Sequence, residues 1–139
     1  MTEEGQSGAG VFRQLDYVYT PSVDVAADTA WFADVLGAQV EFTIEASGTR
    51  VAMLRLTSTP PNLLLTDHLE GERPILVYRV TDLADTVARL AAGGWKPERT
   101  IEIPVGPCRP MRSAGGQRMA IYERTRPEVE EHFHGRRDF

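Results

Sequence analysis

Sulfur nucleophiles and histidines are scarce in this 139-residue sequence, which has one cysteine and three histidines. The lone Cys108 excludes an internal disulfide and leads one to expect a reducing, cytoplasmic setting. It sits in "GPCRP" with no base nearby in sequence, so it reads as inert rather than nucleophilic. Positive charge is also short: 15 Lys and Arg stand against 20 Asp and Glu, a formal charge of -5. Such a chain lacks the basic footprint that nucleic acid requires. No apolar run approaches the roughly 18 residues of a membrane span. The opening "MTEEGQSGAG" has neither a basic flank nor an apolar h-region, so residues 1–11 are expected to form a flexible lead-in rather than a signal peptide. "AGGW" and "SAGGQ" do not make a phosphate-binding loop. No Ser-His-Asp spacing is present, and Glu130-Glu131 is assigned to a solvated charge run.

What the sequence does contain is an echo. "LDYVYTPSVDVAADTAWFADVLG" (15–37) runs from strand-like to helical spacing, and "ILVYRVTDLADTVARLAAGG" (75–94) does the same. Aligned on Asp24 and Asp82, Val25, Thr29 and Phe32 fall on Leu83, Val87 and Leu90. Both sets follow i, i+4, i+7, the buried stripe of an amphipathic helix. Each helix opens on an Asp able to cap its first turn and closes on glycine, at Gly37 and at Gly93-Gly94. After the first come "AQVEFTIEA", a turn at Ser47-Gly48, "TRVAMLRL", a break at Pro60-Pro61 and "NLLLT". After the second come "ERTIEIP", the turn "VGP", "CRPMRS" and "QRMAIYE". Shared order, cap and stripe at one offset point to duplication. One half is too small to bury both sheet faces. The expected fold is therefore α+β: two βαβββ modules forming a curled mixed sheet around a cavity, helices outside. The modules are placed at 12–72 and 73–124, in one domain, with a C-terminal helix or tail over 125–139.

Those features carry a resemblance. "VDVAADTAWFADVLG" and "SAGGQRMAIYE" are similar to the Asp-started helix and the closing turn and strand of the vicinal oxygen chelate superfamily. That group includes glyoxalase I, extradiol dioxygenases, fosfomycin-resistance enzymes and bleomycin-resistance proteins. The resemblance spans roughly residues 12–124 and specifies fold better than activity. It implies a divalent metal held by His, Glu or Gln on the inner sheet face. The corresponding positions here are Tyr17, Asn62, Ile75 and Ala120, and none is a usual ligand. No metal is expected at them, since Ile and Ala offer no donor. The alternative is Zn, Fe, Mn or Ni held elsewhere by His68, His132 and His134, if the tail folds over the cavity mouth.

Strand parity, taken with the resemblance, turns Tyr17, Tyr19, Arg79, Arg118 and Tyr122 inward. Together with Asn62 they are the candidate ligand-binding residues. Arg79 and Arg118 need an anionic ligand or an internal acid such as Asp16 or Glu123. No catalytic residue stands out; Tyr17 is the candidate proton donor. In the tail, Pro127 suits a helix start, Gly135 its end, and Val129 and Phe133 form an apolar pair that could dock. A packed helix, a subunit contact and a lid all remain open. The expected function is small-molecule binding of the glyoxalase/bleomycin-resistance type, metal-free, sequestering a partly aromatic ligand in the cavity. The alternative is a lyase, isomerase or dioxygenase, metal-dependent or acid–base, with a non-standard site. Paired modules in the resembling family often come from two chains, so a homodimer is expected.

Overall fold

A computed structural model describes residues 10–68 and 72–139. Most of the lead-in expected at 1–11 thus lies outside the described residues. The first half runs β1 (Gln14–Pro21), α1 (Val25–Leu36), β2 (Gln39–Ala46), β3 (Thr49–Arg55) and β4 (Asn62–Thr66). The second runs β5 (Ile75–Val80), α2 (Leu83–Ala92), β6 (Lys96–Pro97), β7 (Ile101–Ile103), β8 (Gly106–Arg112) and β9 (Arg118–Glu123), followed by α3 (Glu128–Phe133).

Both helices start as their sequences dictate. Asp24 accepts from the Ala27 amide at 3.0 Å, and Asp82 accepts from the Asp85 amide at 3.0 Å. These side chains satisfy donors that a first turn leaves orphaned. Gly37 ends α1 at φ 71°, a left-handed conformation that glycine adopts without strain.

The strands form one sheet in the order β2-β3-β4-β1-β5-β9-β8-β6, with β7 also on β8. In each half the first strand pairs in parallel with the last, β1 with β4 and β5 with β9. The halves meet where β1 and β5 pair antiparallel. Alternating residues then define two faces. On one, Val25 and Phe32 of α1 pack on Ala52, Leu54 and Leu65, while Leu83, Val87 and Leu90 of α2 pack around Met111 and Ile121. The other, concave face holds Tyr17, Tyr19, Phe42, Met53, Leu64, Ile75, Val77, Cys108, Ala120 and Tyr122 in one buried cluster. This is the curled α+β sheet with α1 and α2 outside that the pattern implied.

Three expectations need correction. The strand read across "ERTIEIP" is interrupted: residues 98–100 leave the sheet between β6 and β7. Here the Glu98 amide donates to the Pro110 carbonyl at 2.8 Å, and the Glu98 carbonyl accepts from the Arg109 guanidinium. Next, the turn read at "VGP" falls one step earlier, at Pro104-Val105, and Gly106 already belongs to β8. A Cβ on Gly106 would lie 1.9 Å from the Glu123 carbonyl oxygen, so β8 can start against this backbone only with glycine. Glu130, finally, is not in a solvated run. Its Oε1 is buried against the Arg124 guanidinium, an ion pair without the alignment of a directed hydrogen bond.

The tail packs on its own chain. Phe133 meets Phe42 with ring centroids 5.6 Å apart, and Glu130 rather than Val129 lies beside it over the concave face. The chain then runs along the edge of β2. Gly135 donates to Glu41 (2.8 Å), Thr43 donates to Arg136 (2.8 Å) and Asp138 donates to Thr43 (2.9 Å). Phe139 crosses to the helical side, where Arg50 covers its ring at 5.0 Å.

Candidate functional site

The concavity is divided into a narrow part and a wide part. Under α3 lies an apolar slot bounded by Tyr17, Phe42, Met53, Leu64, Ile103, Val105, Glu130 and Phe133, with only about 10 Å³ of free space. That volume admits about one water at most. Burial pushes the Tyr17 hydroxyl above its ordinary range, and the Glu130 and Asp16 carboxylates add to the effect. Tyr17 and Glu130 thus line the same narrow end of the concavity.

Beside it, across β1, β5 and β9, a cavity of about 460 Å³ opens. Tyr19, His68, Ile75, Glu98, Arg99, Arg118 and Ala120 bound it. Tyr19 reaches His68 Nε2 from its hydroxyl at 2.8 Å, with the rings edge to face. Burial holds the Tyr19 hydroxyl up at about 12, which keeps it a neutral donor near neutral pH. Opposite, Arg118 binds Glu98 through Nε at 3.0 Å and Nη2 at 2.7 Å. A phenol–imidazole pair therefore faces a guanidinium across a cavity of small-molecule size, within the usual range of roughly 300–1,000 Å³.

The residues singled out in the sequence are thus distributed among different environments. Tyr19 and Arg118 line the wider cavity, and Tyr17 lines the narrow slot. Tyr122 donates to the Asp16 carboxylate, and Arg79 approaches the same carboxylate at 3.6 Å. Burial raises Tyr122, with Tyr17 and Asp16 contributing. These two side chains are held in an internal network at the far end of β1 and β5. Asn62 points its amide at the Met53 sulfur, 3.7 Å away. Both arginines therefore have acids of this chain as partners, the internal alternative weighed above. Sequence reasoning gave no role to Glu98 or Glu130. Neither has a local signal, because the loop break at Glu98 and the docking of α3 depend on distant contacts.

The inner-face positions where the resembling family holds its metal do not fit a divalent ion. Ile75 and Ala120 are buried apolar residues, 3% and 1% exposed. The Asn62 amide faces sulfur, and the Tyr17 ring packs on Tyr122 with centroids 5.7 Å apart. The three histidines do not converge either. His68 meets Tyr19, His134 lies 3.2 Å from Glu41, and His132 packs on Phe133. Among the described residues, no three His, Cys, Asp or Glu side chains group as metal ligands.

The curled sheet of paired βαβββ halves is a fold shared with methylmalonyl-CoA epimerases of known structure. Among solved structures, methylmalonyl-CoA epimerase from Mycobacterium tuberculosis is similar at a TM-score of 0.73 and 19% identity, over 88% of this chain and 95% of that one. A Streptomyces coelicolor methylmalonyl-CoA epimerase variant in complex with 2-nitronate-propionyl-CoA matches at 0.68 and 15%, covering 82% and 99%. A hypothetical protein from Bacillus halodurans matches at 0.65 and 13%, covering 79% and 93%. At these identities the likeness is one of fold. No family model matches the sequence, and no curated protein matches it.

Proposed function

We propose that this protein binds a small anionic acyl compound in the 460 Å³ cavity and moves a proton on it, an isomerase-type reaction without a metal. The observation that carries the proposal is the Tyr19–His68 hydrogen bond facing Arg118 in that cavity. In this chemistry His68 donates from Nε2–H to the Tyr19 oxygen, the C–H bond beside a carbonyl breaks, and its proton passes to imidazole Nδ1. The electron pair moves onto the carbonyl oxygen, where the neutral Tyr19 hydroxyl donates a hydrogen bond and Arg118 balances the charge. Return of the proton restores the C–H bond. The epimerases of the same fold act on an acyl-CoA by name, which makes methylmalonyl-CoA a natural first compound to try.

The test is exchange in D2O. Methylmalonyl-CoA and a set of 2-substituted carboxylates are incubated with the protein, and deuterium at the α-carbon is read by mass spectrometry. Wild type is expected to incorporate one deuterium, and His68→Ala to be slower by at least about 100-fold, the lower end of an acid–base contribution. Compounds that bind without exchanging would overturn the isomerase reading.

They would instead support sequestration, the second reading. The observation favouring it is the concave face itself, where Tyr17, Leu64, Ile75 and Ala120 form packed core. A pure binder would tolerate Tyr17→Phe, with affinity altered by about 1 kcal/mol at most. Two further proposals accompany both readings. A reducing cytoplasm suits the buried Cys108 thiol, and a homodimer suits Trp31 and Val35, more than half exposed on α1. No helix of the described residues is long and apolar enough to cross a membrane.

A further inference from the structure

The wider cavity does not end at the Tyr19–His68 pair. A second hollow of about 580 Å³ adjoins it, bounded by Glu72, Arg73, Ile75, Glu98, Arg112, Gln117 and Arg118. The two share Ile75, Glu98 and Arg118, so together they form one groove running outward over β5, β8 and β9. Four guanidinium groups line it, Arg73, Arg99, Arg112 and Arg118, against two carboxylates, Glu72 and Glu98. This local excess of positive charge lies on a chain of formal charge -5. Glu98 alone takes both Arg118, at 2.7 Å, and Arg112, at 3.3 Å. One carboxylate shared between two guanidiniums leaves donors of both forks for a further anion. The floor, by contrast, is apolar where Ile75 separates the two hollows.

We propose that the outer hollow is a phosphate subsite and that the ligand is an elongated molecule. Its phosphorylated end sits between Arg73 and Arg112, and its uncharged stem crosses Ile75 into the Tyr19–His68 cavity, where Arg118 stands. This deepens the function proposed above and rests on it for the inner end alone. A guanidinium matches phosphate oxygens in a planar, two-pronged fashion, and the three around this hollow outnumber its two carboxylates, Glu72 and Glu98. The groove also selects against short ligands, because a lone carboxylate cannot reach both the imidazole and the outer arginines.

Titration calorimetry on the full chain at low salt tests this with two probes, inorganic phosphate and hexyl phosphate. Hexyl phosphate is expected to bind at least about tenfold more tightly, and both affinities to fall as salt rises. The Arg73→Ala, Arg112→Ala double variant is expected to weaken both probes by about tenfold or more. Arg89→Ala, on α2 away from the groove, is expected to leave them unchanged. Arg73 and Arg112 are exposed, so the fold survives their loss, which circular dichroism checks. Equal affinity for the two probes would overturn the elongated ligand, and equal affinity of wild type and double variant would overturn the subsite. His68→Ala separates the two proposals: it removes α-proton exchange and leaves phosphate binding intact. Phosphate binding without exchange in wild type would sink the isomerase reading and keep the subsite.

Discussion

At the scale of single residues, the inner face trades ligands for internal partners. Asp16 is 5% exposed, sits at the bulge of β1, and takes Tyr122, Gln14 and Arg79 together. Burying a carboxylate this deep is costly unless donors surround it. Tyr122→Phe removes one donor and leaves a lone pair buried without a partner. The expected loss of stability is about 1–3 kcal/mol, read from urea unfolding midpoints at unchanged slope. Arg79→Met, at the more exposed end of the network, is expected to be milder. An equal or smaller effect for Tyr122→Phe would show that Asp16 does not depend on the phenol.

At the scale of elements, the tail does two jobs. It fills the edge of β2 with the backbone of residues 135–138, and it sets Glu130 and Phe133 over the slot. An uncovered edge strand is a template for pairing with other chains. Removing residues 134–139 is therefore expected to lower the melting temperature and to cause concentration-dependent association, seen by light scattering. A truncated chain that stays monomeric at high concentration would contradict this role. The same elements show where sequence reading succeeds and where it stops. The caps at Asp24 and Asp82, the i, i+4, i+7 stripes and the Ser47-Gly48 turn are local, and local patterns survive folding unchanged. The break at Glu98 comes from Arg109 and Pro110 across the sheet, and the burial of Glu130 from a helix docking on a face that exists only once both halves have met. Strand parity, taken with the resemblance, turned Tyr19 and Arg118 inward, and both line the wider cavity. It could not separate them from Tyr17, Tyr122 and Arg79, because α3 and the Asp16 network decide which inward residues line the wider cavity.

At the scale of the whole molecule, buried hydroxyl and thiol groups tie stability to alkaline pH. Burial lifts Cys108 from 9.0 to about 12 and Tyr19 from 10.0 to about 12. Tyr17 and Tyr122 move in the same direction for the same first cause. Each group holds its proton more tightly folded than unfolded, so its contribution is complete below the unfolded value and is lost as pH rises through the folded one. Stability is expected to be flat in pH from these groups up to about 9 and to fall steadily toward 12. In a Tyr78→Phe variant, which keeps only Tyr17, Tyr19 and Tyr122 of the four tyrosines, phenolate absorbance and far-ultraviolet circular dichroism should then change in one shared step. Complete phenolate formation near pH 10 with the dichroism intact would refute the account.

The strand order also has a consequence for how the chain is made. β1 lies between β4 and β5, and β5 lies between β1 and β9. Each half's first strand has one flank open until its last strand arrives, far along the chain. Sheets closed by such distant pairs assemble in roughly milliseconds to seconds rather than microseconds. During synthesis β5 emerges well before β9 and can dock on β1 alone, with Leu76 and Tyr78 still waiting for their neighbours Met119 and Ile121. A ribosome that pauses between β5 and β9 is therefore expected to leave an interior strand half-paired.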